Sequence, residues 1–493
     1  MYIALILFGV ATFASLFYVK LAKKIGFFDR PDGDRKLQKT SVPVGGGIVV
    51  VALYVGATLC SFLFLPLSNA LLALQSIAFL SLCFALIGLQ DDRNDFPGIV
   101  KLTLQIVPAA LASVALFPTF SDAVLTFFDP LIGLRLVYTG AFGFFLTFLW
   151  IILCVNSYNL LDGADGFAVV YAILILITLN GVVTQWEEPS AELLYSIRAL
   201  IVILCGFLWT NFPPAKVYLG DVGSLSIGFI LSVLALKVFS HDRFIRPLPI
   251  LCLFIVPILD VTFAIIRRRA LGKNIFTADY QHVHHRILLK LGSPRLLLAA
   301  LAVLQLPAGM AVVVAYRYCC DSLALLVALL YVVTLPAINI FGRRELAFIC
   351  ELLVIAFSRS RYDRRGLFYY TDSYYSSFAP FPNDALRKDW ESFLNRAQNL
   401  GCVSLEFKAN VCELGLQCRG KWKRRRSLTR LTTDETTRAL EVESNEPTYA
   451  RVTARFDARR SSECSELCRE ELARFQAFFT SQIEAVDKKE RAL

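Results

Sequence analysis

The chain has 493 residues, 56% of them hydrophobic and only 18% charged, with a mean hydropathy of +0.57 and a net charge of +10. This is too apolar for an ordinary soluble globule, and the excess of basic residues is better explained by membrane topology than by binding to nucleic acid. The thirteen cysteines contain no CxxC pair and sit mostly in apolar runs, which marks them as reduced packing residues rather than a disulfide framework.

A bilayer-spanning helix needs about 20 mostly apolar residues. The first such run begins at Tyr2; without a basic leader or a small-residue cleavage site it reads as a span rather than a signal peptide. From Thr40 to Gln90 there is no Asp, Glu, Lys or Arg, which leaves room for two spans with a turn near Pro66–Asn69. Further apolar runs start near Leu102, Val137, Gly166, Leu193, Gly223, Pro247, Leu296 and Ser322, for a total of about eleven. In lipid every backbone polar group must be satisfied internally, so the expected fold is an all-α polytopic membrane protein.

The loop after the third span reads LQDDRNDF. On a continuing helix Asp91 and Asp95 share a face, with Asp92 beside them, and like charges at that spacing repel unless a cation offsets them. A solvated helix end is the plain alternative. Lys101, at the start of the fourth span, is a candidate partner for a phosphate or a carboxylate.

After the fifth span comes NSYNLLDGADG, in which Asn156, Asn159, Asp162 and Asp165 recur every three residues and a glycine follows each aspartate. Oxygen ligands in this number suit a hard cation such as Mg²⁺, or hydrogen bonds to a nucleotide. The spacing is not that of an EF-hand. An interhelical turn is the structural alternative.

The loop after the seventh span, NFPPAKVYLGDVGS, places Lys216, Gly220, Asp221 and Ser224 at the start of the eighth. Asp221 or Ser224 could cap that helix, and the same geometry offers free N–H groups to a phosphate. In the ninth span Asp260 lies about two turns before Arg267; an acid within a span is functional or paired, and pairing with a neighbouring arginine is the plain alternative.

ADYQHVHHR then holds three of the four histidines of the chain. His282, His284 and His285 suggest zinc at first, but no cysteine stands close, and adjacent His284 and His285 should point different ways. With Arg286 beside them and Lys273 upstream, an anion cradle fits better than zinc or a surface patch.

The basic residues concentrate in the loops after the odd-numbered spans, which the positive-inside rule assigns to the cytoplasm together with the tail. Beyond about residue 342 charge rises, and the segment 343–493 reads as a separate cytoplasmic α+β domain. It has strand-like stretches at Val403–Lys408 and Ala450–Phe456 and a helical finish from about Ser465 to Glu490. Its basic run Lys421–Arg426 reads as a solvated face or an anionic-lipid contact, and its five cysteines lack zinc-site spacing.

In series, DDRND, NSYNLLDGADG, PAKVYLGDVGS, PILD and HVHHR resemble the polyprenyl-phosphate N-acetylhexosamine-1-phosphate transferases, glycosyltransferase family 4. The HxHH element resembles most the bacterial branch that forms undecaprenyl-diphospho-N-acetylglucosamine. The early segment DRPDGDRKLQKTSVPVGGG resembles the family's first cytoplasmic loop, and the likeness covers roughly residues 1–342.

The resemblance implies a plasma-membrane enzyme that uses a UDP-N-acetylhexosamine, polyprenyl phosphate and Mg²⁺, or Mn²⁺ in its place. It implies Asn159 and Asp221 as metal ligands and Asp165 as a uracil contact. Asp91 and Asp92 would handle the lipid phosphate with Lys101 nearby, and Asp162 would join the catalytic set. Asn156, Lys216, Gly220 and Asp260 would line the substrate site, and His282, His284, His285 and Arg286 would embrace the donor's diphosphate or sugar. Nucleic acid is not an expected partner; a second copy of the chain, or the next glycosyltransferase, could dock on the tail. The competing reading is a transporter of nucleotide sugars or lipid-linked sugars.

Overall fold

The computed structural model describes residues 2–29, 41–120, 124–126, 135–137, 141–240, 244–270, 275, 282–338 and 340, and four strands between 402 and 457. The chain divides into two compact units, one comprising Met1–Arg268 and Asn274–Cys350, the other Arg269–Lys273 and Glu351–Leu493.

The first unit is helical. Its helices are α1 (Tyr2–Ile25), α2 (Gly47–Cys60), α3 (Asn69–Asn94), α4 (Gly98–Phe120), α5 (Ala141–Leu161), α6 (Phe167–Val183), α7 (Ala191–Asn211), α8 (Gly220–Val238), α9 (Pro247–Leu253), α10 (Ile255–Ala270), α11 (Val283–Leu291), α12 (Pro294–Arg317) and α13 (Asp321–Ala337). Among the described residues, seven helices are long and apolar enough to cross a membrane, eight if α9 and α10 form one broken span; α2, α6 and α13 are apolar but shorter. Each of the eleven apolar runs in the sequence thus falls on a helix or on the broken pair.

Two elements differ from the sequence reading. The run from Pro247 is not one helix, because α9 and α10 meet at a 75° bend. Pro257, in the first turn of α10, has no N–H to donate back across the join, so a continuous helix is interrupted there. HVHHR opens a short helix outside the apolar runs: His282 is the N-cap of α11 and the rest lies in its first turn.

Short strands tie the loops. β1 (Phe28–Asp29) pairs antiparallel with β2 (Val42–Pro43). β3 (Val124–Thr126) pairs antiparallel with β4 (Arg135–Val137) and parallel with β5 (Phe244–Ile245).

α8 is the buried axis of this unit; from Val222 to Leu236 every residue is buried. Small residues let neighbouring backbones approach it, the common solution where lipid removes any hydrophobic drive between helices. A Cβ on Gly47 would fall 2.2 Å from the Gly223 Cα, and one on Gly88 of α3 would fall 2.3 Å from the Asp221 backbone. The outer helices instead show apolar side chains outward, as in Phe13 of α1, Val107 of α4 and Val303 of α12.

In the second unit, β6 (Cys402–Val411), β7 (Leu416–Lys423), β8 (Thr437–Ser444) and β9 (Tyr449–Asp457) form an antiparallel sheet in the order β7-β6-β9-β8. β6 and β9 contain the two expected strand stretches. The expected helix from Ser465 and residues 424–426 of the basic run lie outside the described residues.

Candidate active site

Helix ends carry most of the polar motifs, the C-termini of α3 and α5 and the N-termini of α4, α8 and α11, while Asp260 lies inside α10. Residues 43–47, at the start of α2, are tied to the α7–α8 loop. Gly46 and Gly47 donate backbone hydrogen bonds to the carbonyls of Tyr218 and Leu219 at 2.9 and 2.8 Å, and Tyr218 donates to the carbonyl of Pro43 at 2.8 Å.

At the centre is Lys101, whose ammonium forms an ion pair with the Asp91 carboxylate at 2.8 Å and another with Asp221. It also donates to Asn159 Oδ1 at 3.1 Å. Asn159 in turn donates through Nδ2 to Asp221 Oδ1 at 2.7 Å and to Ser224 Oγ at 2.8 Å. Residues from α3, α4, α5 and α8 thus meet around one cation. Of the two partners read for Lys101 from sequence, a phosphate or a carboxylate, the structure shows carboxylates beside it.

Asp92 answers the capping question. α8 begins at Gly220 with no side-chain cap of its own, so neither Asp221 nor Ser224 serves as one. The Asp92 carboxylate accepts instead, from Asp221 N at 2.8 Å and Val222 N at 3.2 Å. These are orphan donors at a helix start, where the dipole also favours an anion. Gly220 makes room: its φ is +75° and a Cβ there would lie 2.6 Å from Asp92 Oδ2. Asp91 and Asp95 do not share a helix face, because Asp95 ends α3 in the left-handed region at φ 50°. Asp91 Oδ1 closes that end by accepting from Phe96 N at 2.7 Å.

The asparagine–aspartate series separates by position. Asn156, one turn before Asn159 on α5, donates to Gln105 Oε1 on α4 at 2.7 Å and stays apart from the lysine cluster. Sequence reasoning missed Gln105; the signal was a lone amide one turn after Lys101 in an apolar span. Asp162 lies half-buried just past the end of α5. Burial, reinforced by the carboxylates of Asp221, Asp92 and Asp165 and opposed by Lys101, pushes its carboxyl well above the usual range. Asp165 accepts from Ala215 N at 2.9 Å, joining this loop to the α7–α8 loop; burial raises its carboxyl too, against that N–H. Lys216 is exposed.

The histidines form a second group. Asp260, on α10, pairs with His282 Nδ1 at 3.0 Å and accepts from Val283 N at 3.0 Å. The partner of Asp260 is thus a histidine rather than the arginine of the plain alternative. The His282 and His284 rings stack, 6.0 Å apart and 4° from parallel, and the His285 ring centre lies 4.2 Å from that of His284. Adjacent His284 and His285 are therefore in contact rather than turned apart. His284 is buried, and its ring nitrogens find no hydrogen-bond partner among the described residues. Burial, with His285 and His282 adding to it, holds its imidazole well below the usual histidine value. Gly163 of the α5–α6 loop packs on this ring, since a Cβ there would lie 2.2 Å from Nε2. Arg286 is half-buried in the same first turn, and Lys273 lies outside the described residues.

Among the described residues, no three His, Cys, Asp or Glu side chains converge as a ready metal cage. The oxygen donors around Lys101 nevertheless fit a hard cation. Asp91, Asn159 and Asp221 already converge on one positive group, and carboxylate and amide oxygens are the ligands Mg²⁺ takes alongside its waters.

Residues 74–239 match the family described as glycosyl transferase family 4. The chain is 32% identical over 272 residues to the probable undecaprenyl-phosphate N-acetylglucosaminyl 1-phosphate transferase of Bacillus subtilis, covering 55% of this chain and 72% of that protein. It is 30% identical over 299 residues to the undecaprenyl-phosphate alpha-N-acetylglucosaminyl 1-phosphate transferase of Thermotoga maritima, covering 60% and 84%. It is also 30% identical over 295 residues to the phospho-N-acetylmuramoyl-pentapeptide-transferase of Wolinella succinogenes, covering 54% and 78%.

Proposed function

The chain belongs to glycosyl transferase family 4, and from that membership and the site above we propose that it transfers N-acetylhexosamine 1-phosphate, most simply N-acetylglucosamine 1-phosphate, from a UDP-sugar to undecaprenyl phosphate. UMP is released, and polyprenyl-diphospho-N-acetylhexosamine stays in the membrane as the first intermediate of a cell-envelope glycan. The observation that carries this reading is the meeting of Asp91, Lys101, Asn159 and Asp221 at one set of helix ends. A soluble donor and a lipid acceptor whose phosphate sits at the headgroup plane can meet there.

In the reaction an oxygen of the lipid phosphate attacks the β-phosphorus of the donor, and the bond from that phosphorus to the bridging oxygen breaks, leaving UMP. Phosphoryl transfer of this kind is mainly positioning and charge neutralisation. The lipid phosphate is already largely anionic near neutral pH, given a second pKa of about 6. Asp91 therefore orients the nucleophile with Lys101 rather than acting as a strong base. Asp92 holds the start of α8, and Asp162 supplies a further acidic side chain beside the same cluster. Asn159 and Asp221 would hold Mg²⁺, or Mn²⁺, which when bound offsets charge developing on the phosphoryl oxygens. His282, His284, His285, Arg286 and Lys216 form the anion-binding side, with Asn156, Asp165 and Gly220 around the nucleotide.

The finer topology belongs to the same proposal. Eleven spans, counting α9 and α10 as one, cross the plasma (inner) membrane, and the site and residues 343–493 face the cytoplasm. The tail serves a homodimer contact or docks a downstream glycosyltransferase.

A transporter is not supported. Transporters place binding groups near the bilayer midplane, often in broken helices, and here Asp91, Lys101, Asn159 and Asp221 meet at helix ends. Purified protein given UDP-N-acetylglucosamine, undecaprenyl phosphate and Mg²⁺ releases UMP on this account; no UMP from any UDP-N-acetylhexosamine would refute it.

A further inference from the structure

Asp260 sits on α10, in the second half of the broken span, and is 2% exposed. A carboxylate there is costly unless something holds it. Both of its oxygens are engaged, and both engage one place: Oδ1 takes the backbone N–H of Val283 and Oδ2 takes Nδ1 of His282, each at 3.0 Å. One carboxylate therefore clamps the first residue of α11 and the ring of its N-cap residue together.

A carboxylate can only accept hydrogen bonds, so Nδ1 of His282 carries the proton and Nε2 is the ring atom left for other work. That ring lies parallel to His284 at 6.0 Å, and His284 touches His285, so the orientation of the first imidazole sets the order of the group. Residues 271–281 separate α10 from α11 in sequence, and the two hydrogen bonds join Asp260 directly to the start of α11.

We propose that Asp260 is a positioning residue that touches no substrate: it fixes the tautomer of His282 and the start of α11, and acts on the transfer reaction only through the histidines. The inference rests on the anion-binding role given above to those histidines, and it moves Asp260 from the substrate-lining set to the support behind it.

The test uses the full-length protein in detergent. The chain has four histidines, so nitrogen-15 labelling of histidine gives a spectrum of four imidazoles, in which His282→Gln identifies its own signals. In the wild type, His282 Nδ1 is expected to be protonated. In Asp260→Asn, Oδ1 can still accept from Val283, but the amide NH₂ cannot accept from Nδ1, so the proton moves to Nε2. An unchanged signal from His241, the one histidine outside this group, reports that the variant is folded.

Turnover gives the second readout. Asp260→Asn is expected to lower kcat about 10- to 100-fold, as loss of a supporting hydrogen bond typically does, with KM for undecaprenyl phosphate unchanged. Asp260→Glu, which keeps both acceptors, should recover part of the rate. The combined Asp260→Asn, His282→Gln variant should be no slower than the slower single change. An unprotonated Nδ1 in the wild type, an unchanged tautomer in Asp260→Asn, or multiplying effects in the combined variant would each overturn the proposal. The spectrum does not depend on turnover, so a protein that shows the tautomer switch but releases no UMP would refute the function and leave the clamp standing.

Discussion

The carboxylate of Asp92, at the end of one helix, caps the helix that begins at Gly220, accepting from Asp221 N at 2.8 Å. Two motifs far apart in sequence are thereby locked so that Asp221 presents its side chain to Lys101 and Asn159. Replacing Asp92 separates support from chemistry. Asp92→Ala should lose about 1 kcal/mol of stability, as loss of a helix cap does. Asp92→Asn, which keeps an acceptor oxygen, should retain most of it. Thermal unfolding of the two variants measures the difference; equal melting temperatures would contradict the capping role.

Gly220 tests the same contact from the other side. Both Gly220 and Gly26 have positive φ, +75° and +73°, but only at Gly220 would a Cβ meet Asp92, while Gly26 has open space around it. Gly26→Ala should therefore cost only the backbone strain, about 1–2 kcal/mol. Gly220→Ala should cost more and also slow turnover by displacing Asp92. Similar melting temperatures and rates for the two variants would count against this packing.

The acidic loop gives a pH dependence of definite sign. Asp162 and Asp165 are both raised, chiefly by burial. A raised carboxyl favours the folded state while protonated, and that contribution is lost as pH rises through its folded value. A nearby divalent cation favours the carboxylate, so Mg²⁺ should bind more tightly and stabilise more as pH rises through that window, displacing protons as it binds. Melting with and without Mg²⁺ across pH measures this; a Mg²⁺ effect independent of pH would contradict it.

Much of this was readable in the chain itself. Apolar runs located the helices because lipid leaves the backbone few alternatives, and the polar motifs stood at the helix ends where the site forms. What was not readable depended on contacts across the sequence. Which carboxylate caps α8 is settled by the close approach of Gly88 to Asp221, and no local pattern shows it. Nor could spacing reveal that Asp260 meets His282, because that contact joins α10 to the start of another helix 22 residues on. Gln105 was hidden as a single amide in an apolar helix until Asn156 was placed beside it.

Asp221 is the residue on which the metal assignment turns. Asp221→Ala removes a partner of both Lys101 and Asn159 and should leave less than a tenth of the wild-type rate, a loss above about 1.4 kcal/mol of barrier. A folded variant that kept more than that would remove Asp221 from the metal set.

The most direct measurement follows the β-phosphate itself. UDP-N-acetylglucosamine radiolabelled in that phosphate is incubated with the purified protein, Mg²⁺ and undecaprenyl phosphate, and the lipid is extracted. The account predicts label in the lipid fraction, bridging sugar and polyprenyl chain in a diphosphate, in step with the UMP released. Label that stays wholly in the aqueous phase, or sugar that reaches the lipid without its phosphate, would contradict it.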